Sequence, residues 1–118
     1  NELLQLRDPE LFRHLNDLSI DARLYGTRWL RLWLTQEFKL SDTLILWDSI
    51  LTATPRVPWL RCICASMVLA VRRTLLSSDF NAGAQVLFRY ASNNVHVRLI
   101  LDLAEALRGG KDIRRYLS

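Results

Sequence analysis

LYGTRWLRLWLTQEFKLSDTLILWD, residues 24–48, is the stretch on which the reading of this chain turns. Its apolar positions return every three or four residues and not every two, which is the period of a helix face. The first half predicts a helix over 24–36. Trp29, Leu32, Trp33 and Gln36 follow one face, and Tyr25, Arg28, Leu32 and Thr35 follow its neighbour. Gly26 weakens the first turn but permits close backbone approach. Ser41 reads as the cap of a second helix over 42–53. Its expected buried side carries Leu44, Trp47, Ile50 and Leu51, with Asp48 the polar residue among them.

The same period extends outward in both directions. Asp8 followed by Pro9 predicts a helix start, with a capping side chain and a proline in the first turn. Leu11, Phe12, Leu15 and Leu18 then form an apolar face, and residues 19–23 interrupt it. Residues 52–58, with Pro55 and Pro58, read as a loop. A helix over 59–76 follows. Its section 62–71 is apolar nearly all round, as expected of the central helix of a bundle. Arg72 and Arg73 close that section, where cations favour a helix C-terminus. Ser78 or Asp79 caps a helix over 79–91, with Phe80, Ala84, Leu87 and Phe88 inward. Asn93 or Asn94 starts another, lined by Val97, Ile100, Leu101, Ala104 and Leu107, and Gly109-Gly110 stops it. The tail adds one more turn, with Ile113 and Leu117 packing down. The expected fold is all-α: six to seven helices packed as an irregular bundle, with 1–118 a single helical unit.

Composition agrees. The chain has 118 residues, of which 50% are hydrophobic and 24% charged, so it folds and is not intrinsically disordered. Residues 1–55 hold six basic and eight acidic groups, and residues 56–118 hold ten and four, which leaves the second part basic. A basic half can meet an acidic protein or an anionic membrane. The arginines are dispersed, however, and lack the interleaved aromatics that stack on bases, so no nucleic-acid partner is expected. Cys62 and Cys64 stand two apart in a predicted helix and face different directions, as small core hydrophobes in a reducing compartment. The longest apolar stretch runs over 62–71, far short of the ~20 residues that span a bilayer. With no signal-peptide layout, a cytoplasmic location is expected, with peripheral contact to endomembranes compatible with the basic half.

Tests for chemistry mostly fail. His14 and His96 lack a second ligand at helical spacing, so no metal is expected, and both read as surface or packing residues. Gly109-Gly110-Lys111 lacks the upstream strand and the following Ser or Thr of a phosphate loop. No cofactor and no complete active site are expected. What stands out is charge beside aromatics: Arg28 before Trp29, Glu37 before Phe38, Asp48 after Trp47. Buried charges must be paired and hydrogen-bonded. The expectation is a structural ion-pair network in which Arg28 reaches Asp48 or Glu37.

Those same residues carry a resemblance. Arg28-Trp29, Gln36-Glu37-Phe38 and Leu46-Trp47-Asp48 are similar to the third signature block of the TBC domains, the GTPase-activating domains that act on Rab-family small GTPases. Leu11-x-x-His14-Leu15 is similar to the helix that commonly precedes this block. The motif covers about 11–48, and the later helices fit the family's less distinctive C-terminal part. Gln36 stands where the family more often has Arg. Within the family, Tyr25 and the run from Asp42 to Asp48 most resemble the group around family member 5. The resemblance implies that Tyr25, Arg28, Trp29, Glu37, Phe38, Trp47 and Asp48 are structural signature residues.

It also implies a division of labour. The family's catalysis uses an arginine and a glutamine finger in blocks reading Ile-x-x-Asp-x-x-Arg and Tyr-x-Gln, both in the N-terminal subdomain. Here Ile20-Asp21-Ala22-Arg23 has the wrong spacing, and Tyr25 is followed by Gly26-Thr27. The chain opens at Asn1 without Met and is about half the length of a full TBC domain. The expectation is therefore a C-terminal subdomain, not an enzyme by itself, whose N-terminal catalytic subdomain lies elsewhere in the parent chain. The implied partners are a Rab-family GTPase, met through the intact domain, and that N-terminal subdomain. The alternative is a non-catalytic helical interaction module or scaffold.

Overall fold

The computed structural model describes residues 2–21, 23, 25, 26, 29 and 38–117. Among these the elements are α1 (Glu2–Arg7), α2 (Pro9–Asp17), α3 (Leu40–Thr52), α4 (Arg56–Ala70), α5 (Arg72–Leu76), α6 (Phe80–Phe88) and α7 (Val97–Arg108). Two 3-10 turns, Tyr90–Asn93 and Arg114–Tyr116, complete an all-α irregular bundle. Tyr25, Gly26 and Trp29 are helical too. The remainder of the helix expected over 24–36 lies outside the described residues.

The bundle is organised around α4. Eight of its side chains are buried, from Trp59 to Leu69, as its all-round apolar sequence predicts. Its most extensive packing is against α7. That helix presents Val97, Ile100, Leu103, Ala104, Ala106 and Leu107 inward. Asp8 caps α2 as expected: its Oδ1 accepts from the Leu11 N–H at 3.2 Å, and Pro9 occupies the first turn. Leu11 and Leu15 are buried, and Phe12 and Leu18 pack partly against them. Asp79 caps α6 through the Ala82 N–H.

Several boundaries and faces differ from the sequence reading. Lys39, not Ser41, is the residue before α3, and it makes no side-chain cap. Ser41 lies inside the first turn. The buried side of α3 is Thr43, Leu46 and Ile50. Leu44 and Leu51 are 51% and 56% exposed, and Trp47 is half-buried. The helix carries leucine or isoleucine on more than one side, so periodicity could not select the face that meets α4 and α7. The long helix expected over 59–76 begins earlier, at Arg56, and breaks at Val71. A proline in the first turn needs no N–H partner, so Pro58 fits inside α4. After the break, Arg72 and Arg73 begin α5, so they do not neutralise the end of a long helix. Phe80 is exposed, and buried Gly83 shares the inner face of α6 with Leu87. The helix expected from 93 starts at Val97, because the imidazole of His96 caps it.

The C-terminal end follows expectation closely. Gly110 adopts φ +68, a conformation open to glycine at little cost. The Lys111 N–H bonds the Ala106 carbonyl at 2.9 Å and the Gly110 N–H bonds that of Leu107 at 3.3 Å, the double closure of a glycine helix end. These N–H groups are therefore spent on α7 and cannot cradle a phosphate. Ile113 is buried and Leu117 half-buried against the bundle. Arg7 reaches across from α1 to donate to the Leu107 carbonyl at 3.2 Å and to the Lys111 carbonyl, which ties the two ends of the chain together.

Candidate functional site: the signature block

The signature residues divide into an aromatic core and an outer rim. Tyr25 and Trp29 are four apart on one helical face, so their rings stack side by side with centroids 4.9 Å apart. Trp29 meets Tyr90 edge-on at 5.4 Å and 72°, and Phe38 meets the same Tyr90 at 5.8 Å. All four side chains are buried. Such tilted and edge-on pairs suit the aromatic quadrupole and add stabilisation beyond area burial.

The polar tips of this cluster are treated differently. Trp29 Nε1 donates to the Leu87 carbonyl at 3.1 Å, which pins the signature block to the end of α6. Tyr90 Oη donates to the Met67 carbonyl at 2.5 Å, joining the cluster to the middle of α4. Burial pushes the Tyr90 phenol well above its ordinary pKa, so it stays a neutral donor. Burial does the same at Tyr25, with lesser contributions from Cys64 and Asp21. No hydrogen bond to the Tyr25 phenol occurs among the described residues.

The rim departs from expectation. Asp48 was expected among buried neighbours, but it is exposed and joins no ion pair among the described residues. It stands two residues from both Leu46 and Ile50, which puts it on the far side of α3 from the core. Arg28 and Glu37 lie outside the described residues, as does any pair between them.

A partly buried ion pair does exist, at a place the sequence did not suggest. Asp8, 7% exposed, accepts from Arg72 Nε at 2.6 Å with the oxygen not used in capping α2. The other arm of Arg72 reaches Glu10 at 2.8 Å. Hydrogen bonding to Asp8 raises the already high pKa of Arg72, aided by the charges of Asp8 and Glu10 and opposed by partial burial. The capping role of Asp8 was readable. Its partner, 64 residues away, was not, because the break at Val71 aims Arg72.

A second cationic contact orders α7. Arg108 lies 4.6 Å over the Trp59 ring, and Trp59 Nε1 donates to Ser49 Oγ at 2.8 Å. One indole thus links α3, α4 and α7. The histidines are structural where described: His14 Nε2 is 3.2 Å from the Ser78 carbonyl, and His96 Nδ1 accepts from the Arg98 N–H at 3.1 Å. Cys62 is buried, Cys64 half-buried, and neither is in a disulfide. Burial pushes the Cys62 thiol up, away from a reactive thiolate. Among the described residues no group of three or more His, Cys, Asp or Glu could hold a metal ion. No helix among them is long and apolar enough to cross a membrane.

Comparison with known proteins gives this architecture a family. The family model of the Rab-GTPase-TBC domain matches residues 1–76, which include the whole signature block. TBC1 domain family member 5 of Mus musculus is 34% identical over 90 residues, 76% of this chain and 11% of that protein. TBC1 domain family member 13 of Mus musculus is 32% identical over 111 residues, 94% of this chain and 26% of that protein. TBC1 domain family member 5 homolog A of Dictyostelium discoideum is 38% identical over 92 residues, 75% of this chain and 8% of that protein. No solved structure gives a significant match. Members 5 and 13 match comparably, so the expected kinship with the member 5 group is not singled out. The chain spans about a quarter or less of the length of these relatives. The all-α bundle, the packed aromatic block and the sequence match agree, and the chain belongs to the Rab-GTPase-TBC domain family.

Proposed function

We propose that these 118 residues act as the C-terminal helical subdomain of a Rab-family GTPase activator. They support a catalytic half and contribute to GTPase binding, and they are inactive alone. The observation that carries this reading is the use of the signature block. Tyr25 packs on Trp29, and Trp29 and Phe38 pack on Tyr90, so these buried rings hold the bundle together and are not offered to a substrate. The finger motifs also find no match in this sequence. An arginine finger contributes about 10³–10⁵ in rate. Without a match to either motif, the 118 residues are read here as supplying binding and not catalysis. The partners in this reading are a Rab-family GTPase and the N-terminal subdomain, with peripheral contact to an anionic endomembrane through the basic half.

The test measures GTP hydrolysis by a panel of Rab proteins, with these 118 residues and with an N-terminally extended chain. Only the extended chain should accelerate hydrolysis. Robust stimulation by the 118 residues alone would overturn the proposal. A second reading, a non-catalytic interaction module, draws on the outward row of Leu40, Leu44 and Leu51 on α3. It would be favoured if the extended chain bound Rab proteins without accelerating hydrolysis.

A further inference from the structure

Four of the seven large hydrophobic side chains that stand exposed among the described residues lie on α3: Leu40, Leu44, Ile45 and Leu51. Three of them form a row. Leu40, Leu44 and Leu51, with half-buried Trp47 among them, follow one another at intervals of four, three and four residues. At the pitch of an α-helix these four fall within about 60° of one another, on a strip about 16 Å long. The core face of the same helix, Thr43, Leu46 and Ile50, lies about a quarter turn away. The hydrogen bond from Trp59 to Ser49 holds α3 from the side opposite the row. The helix is thus anchored without it.

The row has the character of a helix-packing surface. Intervals of four, three and four make a ridge that seats between the side chains of a facing helix. No basic residue lies within Leu40–Thr52, and the acids Asp42 and Asp48 stand off the row. A strip so apolar suits a permanent contact, since transient interfaces are about as polar as the rest of a protein surface. A GTPase that binds and leaves is the poorer fit for that reason. The signature residues point the same way. Tyr25, Trp29 and Phe38 are enclosed in the bundle, whereas Trp47 stands on the row and Asp48 at its edge. The part of the block left outside the bundle core sits where a second body would cover it.

We propose that the α3 row docks permanently against the N-terminal catalytic half of the same parent chain, through an apolar helix of that half. The assignment rests on the reading of these residues as a C-terminal subdomain. The test places a thiol on the row with Leu44→Cys, and on α6 with Phe80→Cys, at a side chain 47% exposed, as the control. Alkylation by a maleimide is timed in the 118 residues and in the N-terminally extended chain, with the rate of the native cysteines subtracted. Leu44→Cys should react about 10-fold or more slowly in the extended chain, because reaction then waits for the contact to open, and Phe80→Cys should react equally in both. Leu44→Gln combined with Leu51→Gln should lower the melting temperature of the extended chain and leave that of the 118 residues unchanged. Equal rates for Leu44→Cys in the two chains overturn the proposal. So does equal slowing at Phe80→Cys, which would mean general shielding. So does slowing in the 118 residues alone as their concentration rises, which would assign the row to a second copy. GTP hydrolysis is read separately: if the extended chain shields the Leu44→Cys thiol without accelerating hydrolysis, the docking stands and the activating role falls.

Discussion

Replacing Arg72 by Met removes the guanidinium but keeps most of the apolar stem that packs beside α2. Among the described residues Asp8 would then keep only its bond from the Leu11 N–H, in a position 7% exposed. A charge-assisted hydrogen bond contributes about 1.5–3 kcal/mol, and breaking a fully buried pair costs about 3–5 kcal/mol. The Arg72 side chain is 29% exposed, so solvent screens part of this, and about 2 kcal/mol is expected. Asp8→Ala should cost about 2–3 kcal/mol, since it removes the α2 cap, worth about 1 kcal/mol, along with the pair. A double-mutant cycle in urea, followed by circular dichroism, isolates the shared part, expected at about 1–2 kcal/mol. The exposed pair of Arg108 with Glu105, three residues apart at 2.7 Å, is the control and should couple by less than about 0.5 kcal/mol. In 1 M salt, where the screening length is about 3 Å, the control coupling should vanish and most of the Asp8–Arg72 coupling should survive. An Asp8–Arg72 coupling no larger than the control, or one abolished by salt, would refute the claim that burial gives this pair its worth.

Three other outcomes follow from the packing. Tyr90→Phe leaves the aromatic contacts in place but strands the Met67 carbonyl, and urea unfolding should show a loss of about 1–2 kcal/mol. Asp48→Ala should stay within about 0.5 kcal/mol of the parent in the same assay, as for any exposed side chain outside a network. Asp112 is held at a pKa of about 2, chiefly by hydrogen bonds from the Arg114 side chain and backbone N–H. Its carboxylate should therefore titrate near 2 by NMR, and Arg114→Ala should move it back toward 3.8. Because the folded value is depressed, the associated stabilisation is present above 3.8 and fades as pH falls toward 2, and full exposure keeps it small.

The legible parts of this molecule were those in which neighbours in sequence are neighbours in space. The Asp8-Pro9 start, a cap at Ser78 or Asp79, the glycine stop at 109–110 and the all-round apolar run of α4 were each visible, because caps and helix faces are local. The candidate site was half legible. Charge beside tryptophan marked the signature block, and Tyr25, Trp29 and Phe38 are buried together, while Trp47 is only half-buried. Tyr90 gave no sign that it would join Trp29 to Phe38, since no spacing links residues so far apart.

The sequence alone determined the helical class, most of the helices and the kinship with TBC domains, because periodicity and motifs are properties of short windows; the first helix, Glu2–Arg7, it did not assign. Only the tertiary structure decided which side of α3 is buried, where the long helix breaks, and which charge is enclosed. A helix with leucine and isoleucine on several sides can bury any of them, and the choice falls to the neighbours it meets. Asp48, between buried-looking residues in sequence, ended in solvent for that reason. Asp8 was enclosed because a break 63 residues later turns Arg72 toward it.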